Sequence, residues 1–566
     1  MKNKKETSKQ EVEKKKKVII KIFATILIAI MLFIIALIAN NYMIFDKYKT
    51  TNLVINNNNI TRYLKNEVLL EDNVLYLSKA DIQNFFDKYI YEEDNKIITT
   101  YGKKIAEIGF EENNIVINGS TKRIHAHAIK KDDKIYLPIS EMTEVYDIEI
   151  ENIENSKVIT MDSLDREQKR AIINSNTAVK STNKFLSKTV DRIKKGETAV
   201  VINTEGKYTK IRTTNGKIGY VKSKKLENEF KVRENMLEEK QIDGKINLVW
   251  DYYSEYVSAP NRKGTKIEGI NVVSPSFFYI DKNGKLQDNI GIEGKAYIEW
   301  AHENGYKVWP MISNAMAATE SLSITSKIVN NYELRNQLIE SIVAKCVRYK
   351  LDGINIDFEN MKESDKNMFS RFIIELTPRM KEAGLVTSVD VTAPDGAETW
   401  SLCFDRNVIG DVADYIVFMA YDEYGVSSTK PGTTAGYDWV ELSLNKFLTT
   451  EDIDSEKIIL AVPFYTRIWT IDDNEEFAGK SSVLSIKNID KVIPENAEKQ
   501  WDDKLKQYVV QYEQDGKKKK VWLEDAKSLE EKLSLVNDKE LAGVGAWKLD
   551  METEEIWKLI NKKINQ

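Results

Sequence analysis

The segment Tyr349–Asn360, YKLDGINIDFEN, sets three carboxylates and an asparagine among residues that otherwise suit a buried strand. Strand alternation puts Asn355, Asp357 and Glu359 on one face and Ile354, Ile356 and Phe358 on the other. Acid groups on an enclosed face are costly unless they are hydrogen-bonded to one another or used. A buried polar network that only sets strand register is one reading. Stability alone, however, does not require an acid at the top of a strand with a second acid two residues below it. That pairing points to catalysis. Asp352 is out of phase with this face and Gly353 has no side chain, so both are assigned to shaping the start of the strand.

Such a face needs a scaffold that encloses it below and opens it above. From Lys245 onward, apolar strand patterns alternate with amphipathic helical ones. The strands are INLVWDYY, INVVSPSFFYI, KVWPMIS, LDGINIDFEN, LVTSVDVTAP, ADYIVFMAYDEY, KIILAVPFYTRIW and AGVGAWKLD. Eight strands joined by helices predict an α/β architecture, a parallel (β/α)8 TIM barrel over residues 240–566 with a small α+β insertion. The insertion lies in the long seventh connection, where QYVVQYEQDGKKKKVWLED reads as a hairpin turning at Asp515-Gly516. The acid face then points inward and climbs to the C-terminal mouth, where barrel enzymes keep their chemistry.

DGINIDFE (Asp352–Glu359) resembles the DGxDxDxE signature of glycoside hydrolase family 18, the chitinase family. The resemblance extends over Lys245–Lys562 through SFFYI, MAYDEYG, VPFYTRIW and GVGAWKLD, in the family's order. Asn355 departs from it, standing where the chitinase pattern has Asp; with VPFYTRIW and VWLEDAKS, it looks most like the peptidoglycan-directed members, among them spore-cortex-lytic N-acetylglucosaminidases. The resemblance implies a retaining, substrate-assisted hydrolysis in which the sugar's own 2-acetamido group attacks. Glu359 would be the general acid and then base, Asp357 would stabilise the oxazolinium, and Tyr421 would hold the acetamido carbonyl. Asn355 can supply a hydrogen bond to Asp357 but no charge, so Asp357 should ionise more readily than beside a third acid. Trp547 would floor the cleavage subsite. Tyr465, Arg467 and Trp469 leave the seventh strand in the same zone, Arg467 either to bond sugar hydroxyls or to pair with an acid. Asp422 is a further candidate, although it would face away from the site if its strand continued unbroken. A non-catalytic binding protein for GlcNAc polymers or the cell wall, built on the same barrel, is the alternative function.

The rest of the chain predicts where this barrel works. At 566 residues there is room for several domains, and 42% hydrophobic with 30% charged residues excludes bulk disorder. Net charge is −5, so nucleic acid is not an expected partner. Residues 1–17 carry eight lysines against three glutamates, a local net charge of +5, and precede the apolar run Val18–Ala39. Residues 18–40 therefore read as a retained transmembrane signal-anchor behind a cytoplasmic basic tail, placing the remainder outside the cell membrane. ALIANN is a poor cleavage site, which disfavours a cleaved signal peptide.

Two segments about sixty residues apart, from Asn73 and Asp133, each read as a strand ending in Tyr-Leu, a polar helical stretch and an apolar strand. This duplicated α/β module, over residues 50–165, resembles the N-terminal domain first described in copper amine oxidases and implies an accessory role without copper. Residues 183–228 alternate between EGK and TNGK turns and resemble bacterial SH3-type domains, as wall binder or as spacer. His125 and His127 would share a strand face but lack a third ligand, and Cys346 and Cys403 lack metal or framework spacing. No cofactor and no metal is expected; the expected partners are peptidoglycan or another GlcNAc-containing polysaccharide, and the membrane.

Overall fold

The computed structural model describes residues 2–43, 51–184, 187–236, 241–254, 256–314 and 318–565. These gather into two compact units. One holds the chain up to Lys88 with Phe110–Asn114 and the residues from Arg123 to 236; the other holds Tyr89–Gly109, Ile115–Lys122 and the residues from 241 onward.

In the second unit eight parallel strands close on themselves. They are β1 (Ile246–Asp251), β2 (Val272–Pro275, resumed at Phe278–Ile280), β3 (Lys307–Val308, resumed at Met311–Ser313) and β4 (Gly353–Asp357). β5 (Val386–Val391), β6 (Tyr415–Met419), β7 (Ile458–Pro463) and β8 (Gly543–Trp547) complete the set. Each pairs with the next, and β8 pairs with both β7 and β1, which closes the barrel. The helices outside are α1 (Gly291–Glu303), α2 (Ala318–Val329), α3 (Tyr332–Tyr349), α4 (Lys366–Glu382), α5 (Arg406–Val412), α6 (Tyr437–Thr449), α7 (Ala526–Asp538) and α8 (Glu554–Ile564).

Alternation along the strands separates two apolar layers. Ile354, Ile356, Phe358, Val389 and Val391 pack outward with the helices, and Phe358 stacks on Phe369 and Phe372 of α4. Leu248, Trp250, Trp309, Met311, Val386 and Val417 fill the barrel interior. Before β4, α3 stops at Lys350, which turns left-handed at φ +55°. Asp352 then receives His302 Nε2 (2.9 Å), Lys307 Nζ (3.0 Å) and the Val308 amide (3.0 Å). At Gly353 a Cβ would sit 2.7 Å from the Val386 carbonyl and 2.8 Å from Trp309 Cδ1, so only glycine fits.

The seventh strand is shorter than its sequence pattern. β7 ends at Pro463, the Phe464 amide donates to the Trp547 carbonyl (2.7 Å), and Tyr465–Ile471 leaves to join a separate antiparallel sheet. That sheet runs Phe477–Ser485, Tyr465–Ile471, Lys517–Leu523, Gln507–Gln514, Lys499–Asp502, and the last hairpin turns at Asp515 and Gly516, both at positive φ. A fully buried Lys532–Glu524 pair (2.8 Å) ties it to α7. The strands Tyr91–Glu93, Lys96–Tyr101 and Lys104–Gly109 also belong to this unit: Arg335 of α3 bonds Glu375 of α4 (2.9 Å) and Glu93 (2.6 Å), while Arg371 lies 3.7 Å over the Tyr91 ring.

In the first unit a helix spans Lys2–Tyr42, and its stretch Glu11–Ala36 is long and apolar enough to cross a membrane. The two Tyr-Leu strands pair antiparallel with each other, Leu77 opposite Leu137. Only the first is followed by an α-helix, Lys79–Phe85. The second copy makes one 3-10 turn, Ile139–Glu141, because Pro138 and the β-branched Ile139, Thr143 and Val145 disfavour a longer helix. Seven antiparallel strands between Gln168 and Arg233 form one sheet. His125 and His127 lie on a loop, not a strand, and bond separately to Glu141 (3.2 Å) and Asn113 (2.8 Å).

Candidate active site

β4 carries its polar residues inward at three heights. Deepest is Asn355, fully buried, whose four hydrogen-bonding positions are all used. Its Oδ1 accepts from Trp250 Nε1 (2.8 Å) and Ser274 Oγ (3.3 Å); its Nδ2 donates to Ser388 Oγ (3.1 Å) and Asp390 Oδ1 (2.7 Å). An indole N–H can only donate, which fixes the amide's orientation. Asn355 therefore has no donor left for Asp357, contrary to the sequence expectation. A third acid is also present, supplied by β5 instead of β4.

Above Asn355, Asp357 and Glu359 line a cavity of roughly 360 Å³ at the barrel mouth, with Asp390, Tyr421, Asp422, Tyr465 and Trp547. Burial pushes the Asp357 carboxyl up to about 7, so it ionises less readily than an ordinary aspartate. Glu359 is held well above the usual carboxylate range, first by burial and then by the charges of Asp357 and Asp422. Its position is fixed through the backbone: Asn314 accepts from the Glu359 amide (3.1 Å), donates to its carbonyl (2.9 Å) and is itself held by Thr325 (2.7 Å).

β6 ends at Met419, before the acid of MAYD, and Asp422 adopts φ +60°. That left-handed turn redirects Asp422 into the cavity, where it accepts a hydrogen bond from Tyr465 (2.7 Å), so an unbroken strand is the wrong picture here. Tyr421 meets Tyr465 edge-on, ring centroids 6.3 Å apart. Trp547 is flanked by Trp250 at 5.7 Å and Tyr252 at 5.6 Å. Arg262 clamps the ends of β1 and β8 from outside, reaching Asp251 (2.9 Å) and Asp550 (2.8 Å).

Two residues of VPFYTRIW do not reach the cavity. Tyr465, Arg467 and Trp469 share one face of the insertion strand, but at ~3.3 Å per residue Trp469 lies about 13 Å beyond Tyr465. Trp469 is fully buried, donates to the Gly432 carbonyl (2.8 Å) and packs edge-on against Phe477, leaving no face for a sugar. Arg467 is buried behind Tyr465 and reaches Ser481 (3.3 Å). Conversely, sequence reading passed over Asp390, Asn314, Trp250 and Tyr252. Asp390 carried the same signal as β4, a lone acid in phase with an inward face; Asn314 had none, because its contact is to backbone.

The profile of Glycosyl hydrolases family 18 matches residues 247–552. The chain is 27% identical over 300 residues to a protein of Bacillus subtilis (strain 168) named "Uncharacterized glycosylase YvbX", covering 52% of this chain and 84% of that one. It is 25% identical over 288 residues to the "Cortical fragment-lytic enzyme" of the same organism, covering 47% of this chain and 66% of that one. Among solved structures, a chitinase from Chromobacterium violaceum superposes with a TM-score of 0.50 at 25% identity, covering 57% of this chain and 100% of that one. With more than half of its length matched by the family profile, and the acid strand at the mouth of a closed barrel, this chain belongs to glycoside hydrolase family 18.

Proposed function

We propose that this glycosidase hydrolyses β-linked N-acetylglucosamine polymers, peptidoglycan first among them, with retention and through the substrate's 2-acetamido group. The observation that carries the reading is the vertical pairing of Asp357 and Glu359 in one cavity with Tyr421 and the Trp250–Trp547–Tyr252 aromatic cluster. Glu359, protonated near neutral pH, gives its proton to the glycosidic oxygen as the bond to the anomeric carbon breaks. The acetamido oxygen, steadied by the Tyr421 hydroxyl, forms the new bond to that carbon on the opposite face. Asp357, ionised, accepts from the acetamido N–H and stabilises the positive oxazolinium. Glu359, now a carboxylate, takes a proton from water, which opens the ring and restores both the acid and the original configuration. Trp547 supports the apolar face of the sugar at the cleavage position. Tyr465 and Asp422 border the same cavity and are assigned to substrate binding.

Peptidoglycan is favoured over chitin by the similarity to the cortical fragment-lytic enzyme, and by an apolar N-terminal helix suited to hold the chain at a membrane. The lysine-rich end would lie in the cytoplasm and the barrel outside, with the SH3-like stretch 183–228 as spacer or wall contact and residues 50–165 in an accessory role. Digestion of purified peptidoglycan and of chitin oligomers, read by mass spectrometry, tests this: a new reducing end on N-acetylglucosamine is expected. Glu359→Gln should lower turnover by at least about a hundredfold with the fold intact. Equal turnover by that variant would exclude the mechanism.

A further inference from the structure

β4 and β5 run side by side in parallel, with Asn355 opposite Ser388 and Ile356 opposite Val389. Continuing that register puts Asp390 beside Asp357 on the inward face, with the strands ~4.8 Å apart. Asp390 is 1% exposed; its Oδ1 accepts from Asn355, whereas its buried Oδ2 has no hydrogen-bond partner within the protein. Asp357, its neighbour at the same height, receives nothing from Asn355, whose two donor hydrogens go to Ser388 and Asp390 itself.

We propose that Asp390 is a positioning residue of the glycosidase site: a neutral carboxylic acid whose Oδ2–H donates to Asp357, filling the place that Asn355 leaves open. With Oδ1 engaged as an acceptor, Oδ2 is the oxygen that carries the proton. Burial, reinforced by the Asp357 and Glu359 charges, holds Asp390 well above the usual carboxylate range. The neighbours that oppose this are Asn355 and the Trp250 indole, and neither carries a charge. Tyr421, which lines the same cavity, stays a neutral phenol. Donation from Asp390 favours the ionised form of Asp357 and orients it for the acetamido N–H, so the third acid of the pocket acts as a donor.

This inference rests on the glycosidase reading, and its test separates the two. The full chain, Asp390→Ala, Asp390→Asn and Glu359→Gln are assayed on a soluble N-acetylglucosamine oligomer across pH, with folding followed by tryptophan fluorescence. Loss of the donor makes Asp357 harder to ionise, so Asp390→Ala should move the acidic limb of kcat/KM upward by about one pH unit and lower kcat. Asp390→Asn keeps a neutral donor in the same place and should leave the limb within a few tenths of a unit. A purely structural role would not move the limb. An unmoved limb in Asp390→Ala, or a folded Asp390→Asn whose limb moves or whose rate falls more than about a hundredfold, overturns the inference while Glu359-dependent turnover keeps the parent reading. Should Asp390→Ala not fold, the Asn variant decides alone by the same criterion. Absence of Glu359-dependent turnover in the wild type removes both.

Discussion

An acid pushed up by burial makes the folded state costlier as pH rises, and Asp357→Asn should remove that cost. Asp357 ionises at about 7 in the folded protein against 3.8 for an ordinary aspartate. The sign follows from proton counting: between those values the folded chain holds a proton that the unfolded chain has released, so stability falls as pH climbs through the window. It is undiminished below about 3.8 and the loss is complete near 7. At ~1.36 kcal/mol per pH unit, the full interval amounts to about 4 kcal/mol. The cavity opens to solvent and the charge is shared with Glu359, which together reduce the net cost to about 2 kcal/mol. For a domain of this size that corresponds to a midpoint higher by about 3 °C in Asp357→Asn at pH 8, with no such gain at pH 4. All ten tryptophans fall between Trp250 and Trp557, so intrinsic fluorescence follows the barrel unit alone. Thermal scans of both forms at pH 4, 6 and 8 should show the gap opening with pH, alongside a loss of activity of at least about a hundredfold. A gap of equal size at every pH, or a variant less stable at pH 8, would refute the ionisation argument.

Other substitutions separate positioning from packing. Asn314→Ala removes both bonds to the Glu359 backbone and should cost about 1–3 kcal/mol while reducing kcat more than it raises KM, measured by melting and steady-state kinetics. Trp469→Phe loses the bond to Gly432 and should destabilise by about 1 kcal/mol in a urea titration, leaving KM for oligosaccharides unchanged because the ring never meets them. Gly353→Ala forces a methyl against the Val386 carbonyl and Trp309, and should cost about 1–3 kcal/mol, again readable by urea titration.

The acid strand was legible in sequence because a period of two has only two faces, and Asn355, Asp357 and Glu359 could share only one of them. The same arithmetic placed Ile354, Ile356 and Phe358 outward, where they pack with the helices. The order of strands and the hairpin at Asp515-Gly516 followed from pattern and turn chemistry alone. Local geometry was harder to read. Nothing in VPFYTRIW announces that the chain leaves the barrel after Pro463, and the left-handed turn at Asp422 reverses what strand alternation implies.

By itself, the sequence determined which residues could share a face, since that depends on local periodicity and chain direction. Only the folded chain decided who bonds to whom across strands. Register between β4 and β5 brings Asp390 beside Asp357, and the Trp250 indole orients the Asn355 amide away from the acid it was expected to serve. The hydrogen bonds of Asn355 to Asp390 and to Trp250 join residues 35 and 105 positions apart, and their energies arise only when the closing barrel removes water from between them.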